Sequence, residues 1–278
     1  GYLSAFVTDG FSVTSGSSGD DAVNDSSDTY VSWNWLAGTA FSNDASATSV
    51  GTIDSEGQVN TKAGFSIIKY TGSGSNATVA HGLGVAPSMV IIKSRVATSA
   101  DGNWLVYVKA GSVDETDYLL LNSTGAATDE AGAFNDTAAT TTTFSVGTFA
   151  DLNQSSKTYI AYCFANVEGY SKVGSYVGNG NADGTFVYTG FRPAWIIIKA
   201  TDSTQTWWMH DNKRDVDNVV EHNLGANLSS AEDDDYPVID FLSNGFKCRS
   251  TDTSHNGSGN VIIYLAFADQ PFKFANAR

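Results

Sequence analysis

The 278-residue sequence predicts an all-β protein, built from tandem β-sandwich units with jelly-roll or Greek-key-like wiring. Three observations predict this: the composition, the spacing of short strand-like runs, and an internal repeat. Charged residues make up only 16% and aromatics 12%, while Gly, Ser, Thr, Asn and Ala fill much of the remainder. Such a mix has few strong helix formers and many side chains that suit a pleated sheet or a tight turn. No stretch holds a 3.6-residue apolar period beyond two turns, so helices are expected to be minor.

The repeat sets the organisation. Tyr70-Thr71-Gly72 recurs as Tyr176-Val177-Gly178, an offset of 106, and at that offset Gly84 meets Gly190 and Pro87 meets Pro193. Met89-Val90-Ile91-Ile92-Lys93 becomes Trp195-Ile196-Ile197-Ile198-Lys199. Further on, Asn103 to Tyr107 corresponds to Thr206 to His210, and Tyr159 to Asn166 corresponds to Ile262 to Asp269. Three regions are therefore expected: residues 63–170 and 171–278 as two β-sandwich repeats, and residues 1–62 as the C-terminal half of a preceding repeat plus a linker.

In that first region, Asp9-Gly10-Phe11-Ser12-Val13 matches Ser243 to Lys247, and Tyr30 to Trp35 matches Tyr159 to Phe164. Both are expected to be strands. In the second region the runs 65–71, 88–94, 103–109, 117–121, 142–147 and 157–166 are bounded by turn residues and read as strands. The third gives 172–178, 185–189, 194–200, 206–210, 237–241, 245–249 and 260–268. The runs 90–92 and 196–198 are apolar on both faces, as central strands are.

Charge narrows the partners. Thirty acids against 15 bases give a net charge of −15, which repels phosphate backbones and excludes nucleic acid as an expected partner. The acidic run Glu232 to Asp235 reads as a solvated loop. Cys163 and Cys248 belong to no CxxC pair and read as small buried hydrophobes. No stretch of apolar residues is long enough for a spanning helix, so no membrane insertion is expected, and the opening GYLSAFVTDG has no signal-peptide pattern.

A search for chemistry finds no GxSxG elbow, no HExxH and no phosphate-binding loop. His81, His210, His222 and His255 show no metal-ligand spacing and read as structural or exposed side chains. No acid, base or nucleophile is shared by the two repeats, so no catalytic residue is assigned. Asn179-Gly180-Asn181-Ala182-Asp183-Gly184 matches the opening of a calcium loop, but its twelfth position is Gly190 and not glutamate. It reads first as a strand connection. The alternative is a weak Ca2+ site at Asn179, Asn181 and Asp183; no other cofactor is implied.

The aromatic run Trp207-Trp208-Met209-His210 alternates, which sends one tryptophan into the core and the other to an outer face or interface. Trp208 and His210, with the following Asp211, Asn212, Lys213 and Arg214, form the candidate ligand or partner site. An exposed indole among polar groups stacks on a sugar ring or anchors a neighbouring subunit.

GSYVGNGNADGTFVYTGFRPAWIIIK, WWMHDNKRD, DFLSNGFK and the closing AFADQPFKFANAR resemble the C-terminal repeat domain of large, tail-fibre-like virion proteins in tailed bacteriophages, marine phages in particular. TYVSWNW and TYIAYCFAN resemble the penultimate strand motif of the same domains. The resemblance implies a structural and adhesive protein on the virion surface: a tail fibre, spike or capsid appendage. Its implied partners are other copies of itself, other virion proteins and host-surface glycans. Two alternatives stand beside it, a glycan-depolymerising tail spike enzyme and an extracellular filament subunit assembled by strand exchange.

Overall fold

A computed structural model describes residues 2–14, 23–25, 28–96, 102–234 and 238–270. Contacts divide the chain into Gly1–Leu36 and Ala37–Arg278. In the first unit β1 (Tyr2–Val7) and β2 (Gly10–Thr14) form an antiparallel hairpin. Its register pairs Phe6 with Phe11 and Val7 with Gly10.

The second unit is all-β. Its strands are β3 (Thr39–Asn43), β4 (Ser55–Asn60), β5 (Phe65–Thr71), β6 (Ala77–Ala80), β7 (Met89–Ser94), β8 (Trp104–Val108) and β9 (Asp117–Leu120). They continue as β10 (Thr128–Asp129), β11 (Thr143–Val146), β12 (Thr158–Phe164), β13 (Ser171–Val177), β14 (Phe186–Tyr188) and β15 (Pro193–Ala200). The last five are β16 (Trp208–Asp211), β17 (Leu224–Gly225), β18 (Ile239–Leu242), β19 (Gly245–Cys248) and β20 (Val261–Ala268). Four single-turn helices interrupt them: α1 (Ala45–Thr48), α2 (Ala131–Phe134), α3 (Ala150–Asn153) and α4 (Thr253–Asn256).

One eight-stranded sheet has the order β10-β9-β8-β7-β12-β5-β4-β3, and β11-β6 pack over it. A five-stranded sheet has the order β13-β20-β15-β16-β17, faced by β14-β19-β18. The run β5-β12-β7-β8-β9 thus repeats the order β13-β20-β15-β16-β17. Register agrees as well: Val90 faces Tyr107 and Ile92 faces Leu105, while Ile196 faces His210 and Ile198 faces Trp208.

Each layer pair closes its own core. Ile68, Val90, Ile92 and Leu105 of the large sheet meet Val79, Phe144 and Val146 of the small one. In the other half Ile196, Ile198, Ile262 and Tyr264 meet Val187, Phe241 and Phe246. Each such side chain, fully withdrawn from water, contributes roughly 1.5–3 kcal/mol before entropy is counted.

Matching polar pins fix the loops. The Tyr70 hydroxyl donates to the Leu152 carbonyl at 2.6 Å, and the Tyr176 hydroxyl to the His255 carbonyl at 2.7 Å. Buried Asn153 accepts from the Ser73 N–H, and buried Asn256 accepts from the Asn179 N–H. At Gly72 and Gly178 a Cβ would sit 2.4 and 2.2 Å from a carbonyl oxygen, so both positions demand glycine.

Three expectations need correction. Residues 30–35 carry no strand: among the described residues of the first unit, β1 and β2 pair with each other and leave no edge strand bonded to them. The stretch read as a linker holds α1 and β4, and β3 and β4 extend the large sheet beyond β5. The division by contacts also falls after Leu36, because those strands bond to the body that follows. Asp235 and the closing motif from residue 271 onward lie outside the described residues. Cys163 and Cys248 are buried free thiols, and burial pushes them up to about 12 and about 11. Among the described residues no helix is long and apolar enough to cross a membrane.

Candidate functional site

β16 divides the predicted site in two. Trp207, just before it, is 1% exposed and donates its Nε1–H to the Leu120 carbonyl at 2.9 Å. Trp208 is half-buried and stacks on His255, with ring centroids 6.0 Å apart. Trp207 is therefore fully buried on one face of the strand, while Trp208, on the other, packs against the core of the second half and borders a cleft.

The next residues overturn the exposed-patch reading. His210, Asp211 and Asn212 are buried. Asp211 turns its carboxylate back on its own chain, accepting from the N–H groups of Lys213 and Arg214 at 2.9 and 3.0 Å and from Arg214 Nε at 2.7 Å. Those bonds outweigh its burial and hold its carboxyl below the usual range. Arg214 also grips Glu232. Only Lys213 projects into solvent, within 3.7 Å of Asp269. The DNKRD run is a turn in which Asp211 and Arg214 spend themselves on each other, and it offers no exposed row of ligand contacts.

What β16 does assemble is a chain of titratable side chains. His210 Nε2 lies 3.1 Å from His255 Nε2, and His255 Nδ1 lies 3.1 Å from Asp252 Oδ1. Asp252 also caps α4 by accepting from the Ser254 N–H at 2.8 Å. Across the His210–His255 contact one imidazole donates and the other accepts. The hydrogen bond from His255 holds the Asp252 carboxyl well below the usual range. Burial, then His255 and Arg214, push His210 well below the usual imidazole value.

This chain forms one wall of a cleft of about 370 Å³. Trp208, Asn223, Asp233, Ser250, Asp252 and His255 line it. Three polar atoms near it find no well-formed hydrogen bond: Trp208 Nε1, His210 Nδ1 and Asn223 Oδ1. Asn223 is 5% exposed, and its amide nitrogen already donates to the carbonyls of Glu221 and Asp233. Its Oδ1 is therefore a fixed, bare acceptor.

The NGNADG loop is closed on itself. Asn179 Oδ1 accepts from the Asn181 N–H and from Asn256 Nδ2, and Asn181 Oδ1 accepts from the Asp183 N–H. Asp183 pairs with Lys247 and lies 3.9 Å from Arg249. These are the successive side-chain-to-backbone bonds of a turn. Among the described residues no three of His, Cys, Asp and Glu gather around a common point.

Two other buried titratable groups are locked in place. His81 Nε2 lies 3.2 Å from the Thr140 carbonyl, and its Nδ1 accepts from the Leu83 N–H. Lys199 donates to the carbonyls of Ala200 and Thr124, and burial lowers its amine to about 8.

His255 and Asp252 escaped the sequence reading because His210 and His255 are 45 residues apart and share no spacing motif. A signal existed in the repeat: the positions of Tyr107 and Leu152 hold His210 and His255 in the second copy.

The family model described as "Domain of unknown function (DUF7483)" matches residues 1–271, and the chain belongs to this family. No curated protein and no solved structure matches the chain.

Proposed function

We propose that the chain is a structural and adhesive part of a bacteriophage virion, a tail fibre, spike or capsid-surface appendage whose second half binds a host-surface glycan. The motif resemblance, the low charge content and the rigid antiparallel sheets support the structural part. The observation that carries the adhesive part is the Trp208 cleft. It sets an indole beside hydroxyl, amide and carboxylate groups, the mixture that holds the apolar face and polar rim of a sugar. His255 directs both ring nitrogens into the wall, which favours binding over acid–base catalysis. Weak single sites suit a particle that presents many copies in an oligomer.

The test is an array of bacterial surface polysaccharides probed with the whole chain and with Trp208→Leu. Leucine fits the position, since Leu105 holds the same register in the first half. Binding to a defined set of glycans, lost in the variant while thermal stability is kept, is the expected result. A blank array for the native chain removes the adhesive half of the proposal.

A further inference from the structure

The character of the cleft points to one class of sugar. Its charged lining residues are Asp233 and Asp252, with no Lys or Arg among the described residues that line it. The nearby cation, Arg214, is committed to Asp211 and Glu232. Asn223 Oδ1 adds a buried acceptor without a donor, and it cannot flip, because its amide nitrogen is held by two carbonyls. The orphan donor on this wall is Trp208 Nε1–H. The cleft thus carries carboxylates, a bare amide acceptor and no positive charge, and an ammonium group supplies the missing charge together with three donors. The indole adds an attraction for cations across its face.

We infer that the cleft selects a sugar bearing a protonated amine, a hexosamine unit with its ammonium group among Asp252, Asp233 and Asn223 Oδ1 and its ring against Trp208. The inference rests on the glycan reading above and names its ligand class. Neutral N-acetylated sugars lose the charge and two of the three donors, and uronic acids meet the carboxylates with like charge.

The test is calorimetry of the whole chain with a glucosamine tetramer at a pH where its amines are charged. The same titration is run with the N-acetylated tetramer, with tetragalacturonate, and with tetralysine as a control for net charge. The glucosamine tetramer is expected to bind at least tenfold more tightly than its N-acetylated counterpart, with no measurable uptake of tetragalacturonate. Trp208→Leu abolishes that binding. Asp252→Asn weakens it about tenfold, as loss of a charge-assisted contact does; asparagine keeps the cap of α4, so the fold is preserved.

Equal or tighter binding of the N-acetylated or acidic tetramer, dependent on Trp208, overturns the amine preference and leaves the glycan reading standing. Tetralysine binding as tightly, with Trp208→Leu unaffected, reduces the effect to net charge and overturns the inference. If none of the three sugars binds, the glycan reading fails and takes the inference with it.

Discussion

In the first half of the body, Leu105 and Tyr107 on β8 and Leu152 on α3 fill the space between the layers. In the second half the same positions hold Trp208, His210 and His255, and the residue before the single-turn helix changes from Phe149 to Asp252. The backbone hardly registers the exchange. Tyr70 and Tyr176 bond the carbonyls of Leu152 and His255, and Asn153 and Asn256 pin the adjoining loops. Because those pins are set by the main chain and by asparagine, the side chains between them are free to change chemistry. One half spends the position on packing, and the other opens a polar cleft. The lysines that follow the Ile-rich runs of β7 and β15 diverge in the same way. Lys93 lies over the Trp104 ring at 5.7 Å, whereas Lys199 is buried against main-chain carbonyls.

The comparison breaks first at the paired tryptophans. Trp207→Ala removes a fully buried indole and orphans the Leu120 carbonyl, and should cost about 3–5 kcal/mol by denaturant titration. Trp104→Ala removes a half-buried ring that stacks on Tyr162, and should cost less than about 2 kcal/mol. Equal losses would mean that the two halves use this position alike.

The exchanged positions give a second test. Leu152→His places an imidazole at a site with no exposure and no partner, and should destabilise by about 2–4 kcal/mol. The reverse change, His255→Leu, leaves Asp252 half-exposed and orphans one nitrogen of His210, and should cost about 1–2 kcal/mol. A larger loss for His255→Leu would show that the polar chain is itself a stabilising element, contrary to its reading as a binding wall.

How much of this was legible beforehand follows from the kind of signal each feature leaves. Strands such as 65–71, 194–200 and 260–268 were readable because apolar and β-branched residues recur between turn residues, and the repeat offset carried one half's reading to the other. β6, with the sequence ATVA, escaped because four small or β-branched residues carry too little pattern. Tyr30 to Trp35 has strand composition and forms none, since pairing depends on a neighbour and composition does not supply one. At the site, the period-2 alternation put Trp207 and Trp208 on opposite faces but did not set their burial: Trp207 is fully buried, and Trp208 packs against the core beside buried His210. The DNKRD run misled because charge was taken for exposure, while Asp211 spends its carboxylate on the next two residues. The His210–His255–Asp252 chain is a product of register across β16 and α4, which local sequence does not encode.

The smallest effect isolates His210, which has Tyr107 as its counterpart. Its folded value lies well below 6.5, so between that ordinary value and the folded one the unfolded chain binds a proton that the native imidazole refuses. Stability therefore falls as pH drops below about 6.5, by at most about 1.4 kcal/mol per pH unit from this group. The groups acting on it are His255, Arg214 and the His222 backbone, the last favouring the protonated ring and so trimming the slope. Asp252 acts in a separate window: its depressed carboxyl contributes stability above about pH 4 that is lost on further acidification. In denaturation at pH 6.5 and 5.5, His210 alone should account for a loss of about 1 kcal/mol; buried His81, also lowered, adds to it, and His222, raised by its bond to Asp215, works against it. His210→Tyr, which restores the first half's residue, should show most of that loss removed. If the variant keeps the full slope, the acid sensitivity lies elsewhere, and the buried imidazole carries a proton in the native state, its burial offset by Asp252 through His255.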